Sequence, residues 1–346
     1  MKIEEFLKNT NLDNSLLIGY YGGGNFGDEL LLEVLLHFLK KGNFKDVKVM
    51  YLSYVSFDNY HKRVEGIKVV DIRSKLNFIY EFVKSRNIVI GGGGIWGLDF
   101  NRNVFVLSLL IFFARSIFLK KVYLVGIGYY KSTTRIGNLA AFLVGKSSNL
   151  IIARDAETFN NFKNICRETY LDQDIAFLLP GLSRDDYTDD LLKLENKFNI
   201  NSKTVFITIR RFQKKHQNKY QKLIKELIKK NNGLYFVLML LEAGSVYEDG
   251  IVAMNEIRNE CHNVFIADYE YNPVALYYFF KKHRDDLLII SPQFHGQLVA
   301  HLAGVKFLPV GYDNKNFELF KILNVKKYYN INQLTLQDLQ SFVDNY

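Results

Sequence analysis

The chain has 346 residues, about two domains at roughly 150 residues each, which excludes a peptide-sized binding module. Hydrophobic residues make up 48% and charged residues 23%, with only 4 Pro, a balance that excludes wholesale disorder. The formal net charge of +9 points to anionic partners, and the two cysteines, Cys166 and Cys261, stand in neither a CxxC nor a zinc-type spacing, which argues against a disulfide scaffold or a structural zinc.

In chain order, the N-terminal MKIEEFLKNTNLDN lacks the apolar core of a secretion leader, so a cytoplasmic chain is expected. Ser15 to Tyr21 reads as a short strand that runs into Gly22, Gly23 and Gly24, and Asp28 to Lys41 then reads as a helix stopped by Gly42. Val47 to Leu52 is strand-like, Asn77 to Ser85 has helical spacing, and Asn87 to Ile90 runs into four glycines, Gly91 to Gly94. Val104 to Leu119 is apolar but has only 16 residues and carries Arg115, short of the roughly 20 needed to span a bilayer. It is expected as a buried helix, with the alternative that it lies on the inner face of the plasma membrane. Lys121 to Val125 leads into Gly126 and Gly128, and Asn149 to Ala153 gives another strand before a helix from Glu157. Repeated βαβ units predict a parallel sheet covered on both faces.

The pattern breaks between Pro180 and Asn201 and then restarts. Thr204 to Ile209, Leu234 to Leu240, Val264 to Ala267, Leu287 to Ser291 and Phe307 to Val310 are strand candidates, with helical stretches between them such as Tyr220 to Lys230. The expected organisation is an α/β fold of two Rossmann-like domains with mostly parallel sheets and a cleft between them. The first domain covers residues 1–180, a linker 181–200 and the second 201–346, with a last helix free to pack back on the first. Ten Lys or Arg lie between Lys203 and Lys230 against Glu226 alone, a basic segment that either serves an anionic ligand or is a solvated helix face. No helix-turn-helix or ribonucleoprotein signature accompanies it, so nucleic acid is not expected as a partner.

Three turns carry candidate chemistry. Gly22 to Gly27 and Gly92 to Gly97 both match GxGxxG, a turn whose backbone N–H groups can approach an anion. Asp28 and Glu29 at the following helix start oppose a pyrophosphate, which argues against a dinucleotide site. Asn25, Asp28 and Glu29 can instead hydrogen-bond sugar hydroxyls, with Asp28 accepting a proton, or the loop can be purely a tight turn. Arg210 ends a strand where its guanidinium suits a carboxylate or phosphate. His295 sits at a strand-to-helix turn, SPQFHGQ, in reach of acid–base work near neutral pH. His301 falls on another helical face, which argues against a two-His metal site. Lys315 follows a later strand, placed to pair with a phosphate.

Taken together, these motifs resemble the polysaccharide pyruvyl transferase family. The resemblance rests on Gly19 to Gly22 through Asn25, Gly27, Asp28 and Glu29, on Gly91 to Gly94, Gly126-Ile127-Gly128, Ala153-Arg154-Asp155 and Asp174 to Phe177, then Ile209-Arg210, His295 with its Ala-Gly helix, and Tyr312 to Lys315. It implies two Rossmann-like domains in a GT-B-like arrangement, with phosphoenolpyruvate as co-substrate and no further cofactor or metal. It also implies a sugar of a surface-polysaccharide or lipid-linked glycan precursor as acceptor, with a pyruvate ketal and phosphate as products. On that reading His295 is the acid and Asp28 the base; Arg210, Lys315, Gln293 and Gly296 bind the donor; Gly24, Asn25, Gly27, Glu29, Gly93 and Gly94 bind the acceptor. One departure stands out: the family's Arg-Leu-His pattern reads Gln293-Phe294-His295 here. The alternative is a nucleotide-sugar-dependent glycosyltransferase on the same scaffold.

Overall fold

The computed structural model describes residues 1–58, 66–96, 101–198, 200, 202–209, 214–242, 248–267 and 272–345. Two units emerge: Met1–Gly23 with Asp28–Leu182, and Gly24–Gly27 with Ser183–Tyr346.

The first unit is built on a seven-stranded, all-parallel sheet. Its strands are β1 (Ser15–Ile18), β2 (Lys48–Tyr51), β3 (Lys68–Asp71), β4 (Asn87–Gly91), β5 (Lys121–Ile127), β6 (Leu150–Ala153) and β7 (Thr169–Leu171), in spatial order β3-β2-β1-β4-β5-β6-β7. The central strands read SLLI, NIVIG and KVYLVGI and are buried almost throughout, as a sheet covered on both faces requires. The short edge strands β3 and β7 lack that apolar run, which is why the sequence reading passes over them.

Helix α1 (Ile3–Asn9) precedes the sheet and α2 (Phe26–Lys41) joins β1 to β2. α3 (Lys75–Lys84), α4 (Arg102–Phe118), α5 (Arg135–Ser147) and α6 (Ala156–Phe162) connect the strands from β3 to β7. Right-handed crossovers place α2 on one face of the sheet and α3 to α6 on the other. One shared core agrees with this: Phe78 and Phe82 of α3, Ile111 and Ala114 of α4 and Ala140, Ala141 and Val144 of α5 pack with Leu16, Ile88, Val122 and Leu124.

Helix α4 corrects the expectation of a buried helix at 104–119. Only Ser108, Ile111 and Ala114 are buried, a single stripe, while Val106, Phe113, Ile117, Phe118 and Leu119 are exposed. A helix lying on a sheet can bury one face only, whatever its composition. Among the described residues no helix is long and apolar enough to cross a membrane.

The second unit repeats the plan. Strands β8 (Thr204–Ile209), β9 (Tyr235–Leu240), β10 (Val264–Ala267), β11 (Leu287–Ser291), β12 (Lys306–Gly311) and β13 (Tyr329–Asn330) lie parallel in the order β10-β9-β8-β11-β12-β13. Around them are α7 (Thr188–Phe198), α8 (Lys214–Lys230), α9 (Glu248–Glu260), α10 (Pro273–Lys282), α11 (Phe294–Ala303), α12 (Asn314–Ile322) and α13 (Leu336–Asp344). Of the interval 181–200, residues Arg184–Tyr187 form a 3-10 turn and α7 follows, clamped to α10 by Glu195, whose carboxylate lies 2.9 Å from Lys282 Nζ and 2.8 Å from His283 Nε2. Leu339 and Val343 of α13 are buried in the second unit's own core, so the terminal helix closes that unit.

Candidate active site

Both sheets reverse direction next to their first strand. Chain runs outward from β1 to β3 and resumes at β4, and outward from β8 to β10 and resumes at β11. The carboxyl ends of β1 and β4, and of β8 and β11, are therefore the topological switch points where ligands of such sheets usually sit.

At the first switch point, the turn after β1 and the Gly91–Gly94 turn after β4 are held together. Tyr21 Oη donates to Gly91 O at 2.5 Å, and the phenol is pushed well above its usual pKa by burial and by the negative charge of Asp28 and Glu29. Gly93, with φ +75°, brings its backbone so close that a Cβ there would stand 3.1 Å from Asp28 Oδ1. Gly128 N–H donates to Gly93 O at 2.9 Å and so adds the β5 turn to the group.

Asp28 and Glu29 occupy the first turn of α2, where negative charge complements the helix dipole. They do different work. Asp28 is half-buried. Glu29 is fully buried, accepting Gly22 N–H at 2.7 Å and Tyr51 Oη–H at 3.4 Å. Glu29 thus holds the turn, one carboxylate oxygen on the Gly22 backbone and the other on the Tyr51 hydroxyl.

Arg154 was named by the sequence only as part of a motif and given no role. It is 5% exposed, donates to Asp174 Oδ2 at 3.1 Å and lies 3.7 Å from Asp155 Oδ2. Burial opposes its charge, but Asp174, Tyr130 and Asp155 outweigh that and hold its pKa above the ordinary value. Its guanidinium lies against Gly128, with Nη2 4.0 Å from where a Cβ on Gly94 would be. A charged pair at the end of an apolar strand, Ala153-Arg154-Asp155, was the signal that could have found it.

At the second switch point, Thr208 Oγ1 of β8 and Ser291 Oγ of β11 are 2.8 Å apart. Arg210 directly follows β8 and lies outside the described residues. Gln293 caps α11, with its backbone N–H donating to Ser291 Oγ at 3.3 Å. His295 is half-buried in the first turn of α11. Gly296 packs so closely that a Cβ would stand 2.3 Å from Ser291 Oγ, so its smallness sets how α11 meets β11.

Residues 24–27, the tip of the first glycine turn, pack with this second unit. Phe26 N–H donates to Leu241 O at 2.9 Å and Asn25 forms an antiparallel bridge with Glu242. Asn25 Oδ1 accepts Gly27 N–H at 2.9 Å, shaping the turn. A Cβ on Gly27 would stand 1.9 Å from His295 Nδ1, so the imidazole rests directly on the Gly27 backbone. The turn's backbone therefore shapes the setting of the one histidine singled out by the sequence.

The next turn along the sheet follows β12. Asp313 caps α12, and Lys315 Nζ lies 3.3 Å from Asp313 Oδ2 and 5.8 Å from the Tyr312 ring centroid. Asn316 Nδ2 donates to Pro292 O at 3.1 Å and Gln297 Nε2 to Val310 O at 2.9 Å, tying this turn to the His295 turn. Gln293 Oε1, Gln297 Oε1 and Asn316 Oδ1 are buried with no hydrogen-bond partner among the described residues. Thus Gln293, His295 and Gly296 at the start of α11 and Lys315 in the first turn of α12 follow the neighbouring strands β11 and β12, and Asp28 and Gly93 come together in the first unit. Among the described residues no group of His, Cys, Asp and Glu is arranged to hold a metal ion.

Solved structures similar to this chain share its fold. The UDP-GlcNAc 2-epimerase of Neisseria meningitidis, bound to UDP-GlcNAc, is 17% identical with a TM-score of 0.62, covering 95% of this chain and 90% of that one. A putative UDP-N-acetylglucosamine 2-epimerase of Listeria monocytogenes is 11% identical with a TM-score of 0.63, covering 96% and 88%. Anabaena HepE, in complex with UDP-glucose, is 12% identical with a TM-score of 0.59, covering 96% and 88%. These likenesses establish paired Rossmann-like units of the kind used by GT-B-type sugar enzymes. No curated protein matches the chain. The family model for polysaccharide pyruvyl transferase matches residues 25–314, from the tip of the first glycine turn through the His295 turn to the start of α12. On that match the chain belongs to the polysaccharide pyruvyl transferase family and is a transferase.

Proposed function

We propose that the protein transfers the pyruvyl group of phosphoenolpyruvate to two hydroxyls of a sugar in a surface-polysaccharide or lipid-linked glycan precursor, forming a ketal and releasing phosphate at the cytoplasmic face of the cell envelope. The observation that carries this is the family match across residues 25–314, which includes both turns that bear the proposed acid and base.

The chemistry needs a proton delivered to the methylene carbon, so that the enol carbon becomes an oxocarbenium-like centre open to a hydroxyl. His295 is the proposed acid: it is half-buried and seated at a strand-to-helix turn beside Gln293 and Gly296, and an imidazole can carry a proton to a reacting carbon. The first sugar oxygen adds to that carbon, the second displaces phosphate, and both carbon–oxygen bonds of the ketal are then formed. Of the two hydroxyl protons, one restores the acid and the other leaves with phosphate. Asp28 is the proposed base for the hydroxyl. Arg210 and Lys315 are the proposed partners of the donor's carboxylate and phosphate, and Gln293 and Gly296 line the donor side. The glycine backbone at Gly24, Gly27, Gly93 and Gly94, with Asn25 and Glu29, is proposed for the acceptor.

Replacing His295 or Arg210 by Ala is expected to lower turnover by about 10²–10⁴ with little change in melting temperature. Unchanged turnover in both would contradict the roles. A second reading has one observation in its favour. Gln293 stands where the family carries Arg and offers no charge to an anionic donor, which fits a nucleotide-sugar glycosyltransferase. Incubating the enzyme with a glycan precursor and either phosphoenolpyruvate or a UDP-sugar separates the two. Phosphate release with a pyruvylated product supports the first, and UDP release with a glycosylated product supports the second.

A further inference from the structure

Helices α3, α4 and α5 lie side by side on one face of the first sheet, each with a second apolar stripe turned away from the core. On α3 the outward stripe is Leu76, Ile79, Tyr80 and Val83, at i, i+3, i+4 and i+7, while Phe78 and Phe82 face inward. On α4 and the residue after it the outward set is Val106, Phe113, Ile117, Phe118 and Leu119, and on α5 it is Ile136, Leu139 and Phe142. These twelve are more than half of the 21 large hydrophobic residues exposed among the described residues. Leu76 at 84% and Leu119 at 76% are the most exposed of all. Scattered exposed apolar residues need no explanation, but a concentration on three adjacent helices marks an interaction surface.

The exposed charges on the three helices have one sign. Lys75, Lys84, Arg102, Lys121, Arg135 and Lys146 are exposed on or beside the three helices. The only acidic residue within the three helices, Glu81, is fully buried and paired with Lys68. At one end Lys120 Nζ donates to Val83 O at 2.6 Å and also to Ser85 O, drawing the exposed ends of α3 and α4 together. Tyr80, Val83, Phe118 and Leu119 are thus gathered beside Lys84 and Lys121.

We propose that this face docks on an anionic lipid bilayer, with the outward stripes of α3, α4 and α5 in the interface and the flanking Lys and Arg at the headgroups. A second copy is the poorer occupant, because a symmetric contact sets the same basic rim against itself. The docking extends the lipid-linked acceptor of the proposed function and rests on that reading only for its purpose, since bare lipid has no part in the transfer chemistry.

Co-sedimentation with phosphatidylglycerol–phosphatidylcholine vesicles, against phosphatidylcholine alone, tests it. The full chain is expected to bind the anionic vesicles, less at high salt, and at least tenfold more tightly than the zwitterionic ones. Leu76→Ser/Ile117→Ser/Leu119→Ser, at exposed positions that leave the core intact, is expected to lose at least tenfold in vesicle binding. Its melting temperature and its thermal shift with phosphoenolpyruvate should stay as in the parent. Lys84→Glu/Lys121→Glu is expected to lose the preference for anionic lipid. No binding to anionic vesicles at low salt, or binding untouched by both variants, would overturn the proposal. So would a dimer in solution that the triple serine variant turns into a monomer, which would give the face to a second copy. Loss of the phosphoenolpyruvate response in the parent would count against the transfer chemistry and leave the lipid result standing.

Discussion

At the scale of single residues, the tightest constraint lies where Gly27 meets His295. A Cβ at 1.9 Å from Nδ1 cannot be accommodated without moving either the turn or the imidazole. Gly27→Ala is therefore expected to lower stability by about 1–3 kcal/mol and to lower turnover as well, read by a denaturant titration alongside the transfer assay; unchanged stability and turnover would show that the turn yields freely. Glu29 and Arg154 make a contrasting pair. Glu29→Ala strands Gly22 N–H in the interior and is expected to cost about 1–3 kcal/mol, and Glu29→Gln, which keeps an acceptor, should cost less. Arg154→Met leaves Asp174 buried beside a neutral side chain, with an expected loss of about 3–5 kcal/mol by the same titration. Sequence gave Glu29 a place in the binding loop but not its direction, because polarity and spacing do not say which way a carboxylate turns when a buried N–H needs a partner.

Among the elements, the strands that carry the turns were legible because a strand covered on both faces must be apolar along its length, as in SLLI, NIVIG and LLIIS. Edge strands such as β3 and β7 were not, since half their surface meets solvent. For α4 the composition misled: burial is decided by how many faces a helix presents to the core, and a helix on the outer layer presents one. The clamp between α7 and α10 gives the elements a pH signature. Burial raises the Glu195 pKa, but hydrogen bonds and charge from Lys282 and His283 lower it further, so its net position is below the ordinary 4.5. A carboxylate with a depressed folded pKa contributes stability that is present above about pH 4.5 and is lost as pH falls through the folded value. Glu195→Gln is expected to lower the urea midpoint at pH 7 and to flatten its fall on the acid side. An acid limb identical to the parent's would show that the clamp contributes nothing.

For the whole molecule, both sheets carry the same order of strands, so the same construction places a glycine turn at one switch point and the His295 turn at the other. The alternation of strand, glycine turn and helix made this architecture readable, and the ordered set of motifs made the family readable. The packing of residues 24–27 with the second unit was not, since the Asn25–Glu242 bridge joins residues more than two hundred positions apart and leaves no trace in local pattern. The donor is the central claim, and Gln293 is where it is most exposed to contradiction. Thermal shift of the full chain with phosphoenolpyruvate, compared with inorganic phosphate, UDP, UDP-sugars and NAD, tests it most directly, because a ligand that binds only the folded state raises the melting temperature. Selective stabilisation by phosphoenolpyruvate, lost in Arg210→Ala, is the predicted result; stabilisation by UDP or a UDP-sugar with none by phosphoenolpyruvate would contradict it.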